Sequence, residues 1–550
     1  MSNKRVIIVG GVAGGMSCAT RLRRLDEQAD ITVLERGPYP SFANCGLPYH
    51  IGGEISDRSK LIVQTPENLA ANFNLKVRTL TEAIRIDRAL KLVEVRDHRT
   101  GATEQLPYDA LVLSMGANPL KPPIPGIDLP GVFTLRNIPD MDRILAWIAE
   151  HSVSHAVIGG GGFIGLEVAE QLVHRGIQVE LAEALPQILA PLDPEIALPL
   201  QVAGEKRGIT FHLNAAIASF EPNEWDRLGS VILKNGTRIS TQLVVMGLGV
   251  RPEATLARDA GLELGQRGGI RVDEQMRTSD PAIYAVGDVV EVKDRITDEW
   301  AVIPLAGPAN RQGRIAADNI AGIPSRYRST QGTAILKFFS LAAACTGANE
   351  KTLKRVGKPY KSVHLHPGSH AGYFPGAKPV ALKLLFDPND GRVLGAQAVG
   401  EDGIDKRIDV VATAIAAGMT IDDLAELELC YAPPFGSAKD PVNLAGMAAQ
   451  NLRAGLVEGI TWPEYQALPV DQRPPLLDVR NNNEVALGMI PGAIHIPLAQ
   501  LRSRMDEVPH GPVVVYCQSG QRSYNACRIL RQHGRQAINL SGAYKTYLSH

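Results

Sequence analysis

The chain has 550 residues, 45% of them hydrophobic, enough for several packed cores at the usual domain size, and it is expected to form three or four domains. Its 57 basic and 58 acidic side chains leave a formal net charge of −1, which argues against a polyanionic partner such as nucleic acid. The first apolar run, from Val6, is cut by Gly10 and Gly11, too early for a signal peptide or membrane helix, and the six cysteines form no C-x-x-C pair; the expectation is a cytoplasmic protein with free thiols and no membrane partner.

In chain order, the strand Val6-Ile7-Ile8-Val9 runs into the glycine-rich turn Gly10-Gly11-Val12-Ala13-Gly14-Gly15, a helix with small residues follows, and a second strand, Ile31-Thr32-Val33-Leu34, ends in Glu35 and Arg36. The pattern recurs with Ala156-Val157-Ile158, Gly160-Gly161-Gly162-Phe163-Ile164-Gly165 and Val179-Glu180-Leu181-Ala182-Glu183. Glycines let the backbone approach a pyrophosphate, the helix N-terminus faces its charge, and the acid accepts bonds from ribose hydroxyls. One such loop is a weak signal and could be a plain structural turn; two in strand-turn-helix context predict two dinucleotide sites. Val12 stands where the first loop would carry its middle glycine. After Glu183 comes Ala184-Leu185-Pro186-Gln187, with no cation for a 2'-phosphate, which favours NADH over NADPH.

Cys45 follows the first unit in Ser41-Phe42-Ala43-Asn44-Cys45-Gly46, and no further cysteine occurs before Cys345. It cannot close a local disulfide, so its oxidised form is expected to be a mixed disulfide, a persulfide or a sulfenic acid, and a flavin beside it would favour the thiolate. Two more strands run into small-residue turns, Leu113-Ser114-Met115-Gly116 and Ile283-Tyr284-Ala285-Val286-Gly287-Asp288. From about 330 to 447 short strands and turns prevail and carry Tyr373 and Tyr431. After Ala454-Gly455 a separate small α/β domain begins, in which the apolar strand Val513-Val514-Val515-Tyr516 leads to Cys517-Gln518-Ser519-Gly520-Gln521-Arg522 and a helix. Amides of that loop can converge on the Cys517 sulfur and Arg522 would add a fixed positive charge. Cys18, Cys345, Cys430 and Cys527 read as small apolar fillers, and His364, His366 and His370, without cysteine or carboxylate ligands nearby in sequence, read as surface or packed histidines; no metal site is expected.

Over residues 4 to 325 the paired loops and the two later turns resemble the two-dinucleotide flavoprotein disulfide reductases. The resemblance implies FAD on Gly10, Gly11, Val12, Ala13, Gly14, Gly15, Glu35, Arg36, Ser114, Gly116, Gly287 and Asp288, and NADH on Gly160, Gly162, Gly165 and Glu183. Ser-Phe-x-x-Cys resembles the single-cysteine branch of coenzyme A disulfide reductases, NADH oxidases and NADH peroxidases. The last two carry a histidine in the first glycine loop where this chain has Ala13, which disfavours them while leaving them, or a simple sulfur carrier, as alternatives. In the coenzyme A disulfide reductases two tyrosines of a partner subunit approach the cysteine, matching Tyr373 and Tyr431; Ser17, Arg21, Arg24, Ser41 and Asn44 would then contact coenzyme A. Residues 460 to 550 resemble a rhodanese domain, with Cys517 and Arg522 as its active residues.

The implied architecture is α/β: an FAD-binding domain at 1–149 and 270–326 and an NAD-binding domain at 150–269, both Rossmann-like, an α+β dimerisation domain at 327–450, and a rhodanese-like α/β domain at 451–550. The implied function is NADH-dependent reduction of S–S bonds in coenzyme A persulfide, polysulfide or coenzyme A disulfide by a homodimer, with coenzyme A as substrate or retained cofactor.

Overall fold

The computed structural model describes residues 3–549 and divides the chain into two compact units, residues 3–186 with 207–332, and residues 187–206 with 333–549. Among the described residues no helix is long and apolar enough to cross a membrane.

The first unit holds two parallel five-stranded sheets built on one plan. In one, the strand order is Ile283–Ala285, Ala110–Leu113, Arg5–Val9, Asp30–Glu35, Lys76–Thr79; in the other it is Thr210–His212, Gln178–Ala182, His155–Gly159, Leu243–Met246, Val132–Thr134. The runs are continuously apolar because helices cover both faces: Val6, Ile7 and Ile8 are buried, as are Val157 and Ile158. In each sheet the first strand of the repeat lies between its successor and a later strand, Ile8 pairing with Val33 and Val112, Ile158 with Leu181 and Val245. Strand order reverses there, which opens a crevice at the strands' C-terminal ends where each glycine loop lies. The antiparallel sheets Thr81–Asp87, Leu92–Asp97, Thr103–Pro107 and Ile217–Pro222, Leu228–Leu233, Arg238–Ser240 follow the third strand of each repeat.

The second unit contains an antiparallel sheet in the order Ala334–Phe338, Leu341–Gly347, Val393–Gly400, Val380–Phe386, Lys361–Leu365, and a parallel one in the order Glu458–Ile460, Ala537–Leu540, Val513–Tyr516, Leu476–Asp478, Ile494–His495. The parallel sheet has its own core, in which Leu477, Val514, Val515, Ala526 and Leu530 are fully enclosed. Residues 187–206 group with the second unit. Their helix Pro194–Lys206 packs on the strands Leu341–Gly347 and Val393–Gly400, and Asp193 and Glu195 at its start form ion pairs with Lys383 of that sheet.

Candidate active site

Each glycine loop forms a cradle that side chains would fill. At Gly10 (φ +99°) a Cβ would overlap the Ser114 carbonyl oxygen, and at Gly15 it would overlap the Gly10 oxygen and the Ser114 hydroxyl. The second loop repeats the constraint, since a Cβ on Gly160 (φ +104°) would lie 2.6 Å from the Gly247 oxygen and one on Gly165 would overlap the Gly160 oxygen. Glu35 accepts the Gly11 N–H at 2.9 Å and the Gly37 N–H at 2.7 Å; Glu183 accepts those of Gly161 at 2.7 Å and Leu185 at 2.9 Å. The acid is thus held over its own glycine turn in both units, where a ribose would reach it. Val12 is accommodated at φ −108° as the residue before the helix Ala13–Leu25, so the loop needs no glycine there. Asp288, after the left-handed Gly287, is buried enough for its carboxyl to be pushed up, an effect offset in part by Arg136.

Cys45 is carried by a single 3-10 turn, Asn44–Gly46, before the helix Leu47–Gly52. Its placement depends on Ser41, whose φ of +48° reverses the chain, while the Ser41 N–H donates to the Gly11 carbonyl at 2.7 Å and its carbonyl accepts from Val63. The thiol segment is therefore bonded directly to the first glycine loop. A Cβ on the neighbouring Gly46 would lie 2.7 Å from Leu61 Cδ2, so a side chain there would displace the buried Leu61 side chain. Cys45 is an exposed residue whose thiol is nonetheless partly enclosed, and Asn44 Oδ1 accepts the Cys45 N–H at 3.1 Å. The protein's own groups do not favour the thiolate: desolvation pushes the thiol up, and Glu167 and Asp288 push it further. The expected thiolate bias has to come from a bound cofactor or substrate. Glu167, on the helix Phe163–His174, is pushed up to about 7, by burial foremost and by Glu170, although the Tyr49 hydroxyl donates to it at 3.3 Å.

In the second unit, Cys517 is fully buried at the start of a loop that ends at the helix Gln521–Gln532. Gly520, at φ +105°, turns its N–H onto the Cys517 sulfur at 3.1 Å, the amide-to-sulfur geometry that suits a thiolate or persulfide. Arg522 interacts with the Cys517 sulfur and is also ion-paired. Both of its terminal nitrogens donate to Glu484, each at 2.6 Å, a pairing that lowers the Glu484 carboxyl to about 2 and leaves a nearly neutral pair beside the sulfur. Arg480, buried behind the loop, forks onto Asp478 and reaches Gln518 Oε1 at 3.2 Å. The hydroxyls of Tyr373 and Tyr431 lie 3.1 Å apart on the surface, and their mutual bond raises the Tyr373 phenol.

Residues 4–313 match the family model of the pyridine nucleotide-disulphide oxidoreductases, residues 333–441 the dimerisation domain of the same family, and residues 461–550 the rhodanese-like domain. The chain belongs to the pyridine nucleotide-disulphide oxidoreductase family. It is 36% identical to a coenzyme A disulfide reductase of Staphylococcus haemolyticus over 452 residues, 82% of this chain and all of the relative. Among solved structures it resembles the reduced CoADR-RHD of Bacillus anthracis (47% identity, TM-score 0.97, covering 100% of this chain and 98% of that one). It also resembles an NAD-dependent persulfide reductase from A. fulgidus (38% identity, TM-score 0.92, covering 99% and 100%). The family and the appended rhodanese-like domain make this a flavoprotein oxidoreductase of the disulfide and persulfide reductase type.

Of the residues that sequence singled out in this pyridine nucleotide-disulphide oxidoreductase, Gly10 to Gly15, Glu35, Ser114, Gly287 and Asp288 lie about the first glycine loop, and Gly160, Gly162, Gly165 and Glu183 about the second. Arg36 turns to Glu82 at 3.4 Å. Ser17 and Arg21 are engaged by the helix Ala306–Ile320, Ser17 donating to Asn310 and Arg21 pairing with Asp318 at 2.8 Å, while Arg24 is exposed. Sequence reasoning missed Tyr49, Glu167, Arg136, Asn310 and Gln312, the last accepting the Gly287 N–H at 2.7 Å. Cys430 is exposed, unlike the buried Cys18, Cys345 and Cys527, so it is not a core filler.

Proposed function

We propose that this enzyme uses NADH to reduce S–S bonds of coenzyme A persulfide, polysulfide or coenzyme A disulfide at Cys45, and that its rhodanese domain carries sulfane sulfur on Cys517. The observation that carries the reading is the pairing, in one chain, of a lone thiol on an exposed residue, in a segment hydrogen-bonded to the first glycine loop, with a buried thiol in an amide-lined loop.

Gly10 to Gly15, Glu35, Ser114, Gly116, Gly287 and Asp288 would hold FAD, and Gly160, Gly162, Gly165 and Glu183 would hold NADH; the space reserved by the glycines and the acids poised over each turn fit those groups. When bound, FAD supplies two-electron transfer between a nicotinamide and a thiol-disulfide couple. Cys45 attacks the outer sulfur of a persulfide R–S–SH, the S–S bond breaks, R–S⁻ leaves with the proton of a nearby acid, and Cys45 retains the sulfur as its own persulfide. Two electrons from NADH then release that sulfur as hydrosulfide and return Cys45 to the thiol. Ser41 and Asn44 set the thiol's position, and Ser17, Arg21 and Arg24 line the helix on which coenzyme A phosphates would rest. Tyr373 and Tyr431, supplied by the partner chain of a homodimer, protonate or hydrogen-bond the leaving thiolate. The free cysteines suit a cytoplasmic setting for this cycle.

The test is anaerobic NADH oxidation with coenzyme A persulfide, coenzyme A disulfide and polysulfide, following hydrosulfide release. Cys45→Ser is expected to abolish turnover of all three, and Cys517→Ser to slow polysulfide while sparing coenzyme A disulfide. Turnover only with oxygen or peroxide would move the enzyme to the oxidase and peroxidase branch.

A further inference from the structure

Two histidines left without a role by the sulfur chemistry lie between the antiparallel sheet and the rhodanese core of the second unit. His364 and His366 sit on and just after the strand Lys361–Leu365. His364 Nδ1 is 3.0 Å from the Ser541 hydroxyl and its Nε2 is 2.9 Å from Glu195; His366 Nε2 is 2.8 Å from the Thr546 hydroxyl. His364, Glu195 and Thr546 are all buried. Between the two hydroxyls lies Gly542, at φ +73°, where a Cβ would overlap Thr546 Oγ1 and come within 3.0 Å of His364 Cβ. The contact is therefore closely packed as well as polar.

On its far side this contact reaches the sulfur loop. Thr546 belongs to the helix Ala543–Tyr547, whose Tyr544 N–H donates to the Cys517 carbonyl at 3.0 Å and whose Lys545 N–H donates to the Gln518 carbonyl at 3.1 Å. On its near side it is anchored in a buried ionic knot. Lys383, 1% exposed, places its ammonium 2.7 Å from Asp193, 2.6 Å from Glu195 and 2.8 Å from Glu350, and Gln397 donates to Asp193 at 2.7 Å. The three carboxylates could hold a metal ion, but the Lys383 ammonium already takes the cation's place among them. Glu195 is thus fixed by Lys383 and in turn fixes His364. His366 is pushed down to about 3 by its burial, by Lys545 and by His364, so at neutral pH it meets Thr546 as an uncharged imidazole.

We propose that His364 and His366 are positioning residues that dock the Ser541–Tyr547 segment on the dimerisation sheet and thereby hold the Cys517 loop at a fixed station for sulfur transfer. The dock itself stands on the geometry above; its consequence for transfer rests on the relay reading of Cys517 and Cys45.

Deuterium exchange of residues 541–549 and anaerobic discharge of a preloaded Cys517 persulfide by NADH test both parts on the full-length holoenzyme. Ser541→Ala and Thr546→Val are expected to raise exchange in 541–549 and to slow discharge about tenfold, as befits loss of a buried hydrogen bond, with coenzyme A disulfide reduction within about twofold of the parent. Thr546→Ser, which keeps the hydroxyl, should restore both. Exchange in Ser541→Ala and Thr546→Val as slow as in the parent would overturn the dock. If Cys517→Ser reduces polysulfide as fast as the parent, the relay reading fails instead, and the dock is decided by exchange alone.

Discussion

Cys45 faces a problem that its exposure hides. An attacking sulfur must be a thiolate, yet desolvation, Glu167 and Asp288 all favour the protonated form. Glu167 is itself pushed up to about 7, so a proton on Glu167 relieves Cys45 of one of its two like-charged neighbours. Glu167→Gln fixes that relief permanently. The variant should alkylate at Cys45 faster than the parent, by about threefold to tenfold above pH ~7, where Glu167 is ionised in the parent. Below that pH the two rate profiles should converge, because the parent's Glu167 is then neutral as well. Superimposable profiles at all pH values, measured as iodoacetamide rates on the reduced holoenzyme, would show that Glu167 does not govern the thiol. A second consequence has the opposite sign to the common carboxylate case. A folded-state value above the ordinary one contributes stability that is complete below the ordinary carboxylate range and is lost as pH rises through about 7, so Glu167→Gln should lessen the fall in Tm across that window.

At the scale of elements, the glycine turns are the parts whose chemistry is set by the absence of side chains. Gly15 stacks its Cα against the Gly10 carbonyl and the Ser114 hydroxyl, and this close approach brings the helix Ala13–Leu25 up to the strand that precedes it. Gly15→Val should force that helix away from the crevice and yield a protein purified with little or no flavin absorbance, while Gly165→Val, acting on the second loop, should retain flavin and lose NADH reduction. Retention of flavin by Gly15→Val would disconnect the first loop from the cofactor. These turns were legible in the sequence because strand, turn, helix and terminal acid are consecutive and recur. The Cys45 and Cys517 loops were legible because each is a contiguous run of residues. Glu167 and Tyr49 were not, being 118 positions apart and brought together only when the helices Leu47–Gly52 and Phe163–His174 pack. Nor was the departure of the helix Pro194–Lys206 to the second unit, because the signal is a lysine at position 383 that no local pattern ties to Asp193 and Glu195. The ion pair of Arg522 was not legible, because it depends on Glu484, on a different helix.

For the whole molecule, the second unit leaves an aromatic set in solvent: Tyr373 is 76% exposed, Phe435 70%, Tyr431 49% and Phe374 39%. Large apolar side chains so disposed mark an interaction surface, and in a domain matching a dimerisation family the occupant we assign is a second copy of this chain. The two tyrosine hydroxyls, bonded to each other, would then be presented to the partner's Cys45 rather than to their own. Subunit mixing separates the two arrangements. Cys45→Ser homodimers and Tyr373→Phe/Tyr431→Phe homodimers are each expected to be defective in coenzyme A disulfide reduction, the second by about tenfold through loss of acid assistance. After dissociation and random reassociation, half of the dimers carry one chain of each kind. If the tyrosines act across the interface, each such dimer has one site with an intact Cys45 and intact tyrosines and one site lacking both, so the mixture recovers about a quarter of the parent's activity per chain. If they act within their own chain, every site in the mixed dimer is missing one component or the other, and mixing recovers nothing beyond the average of the two variants.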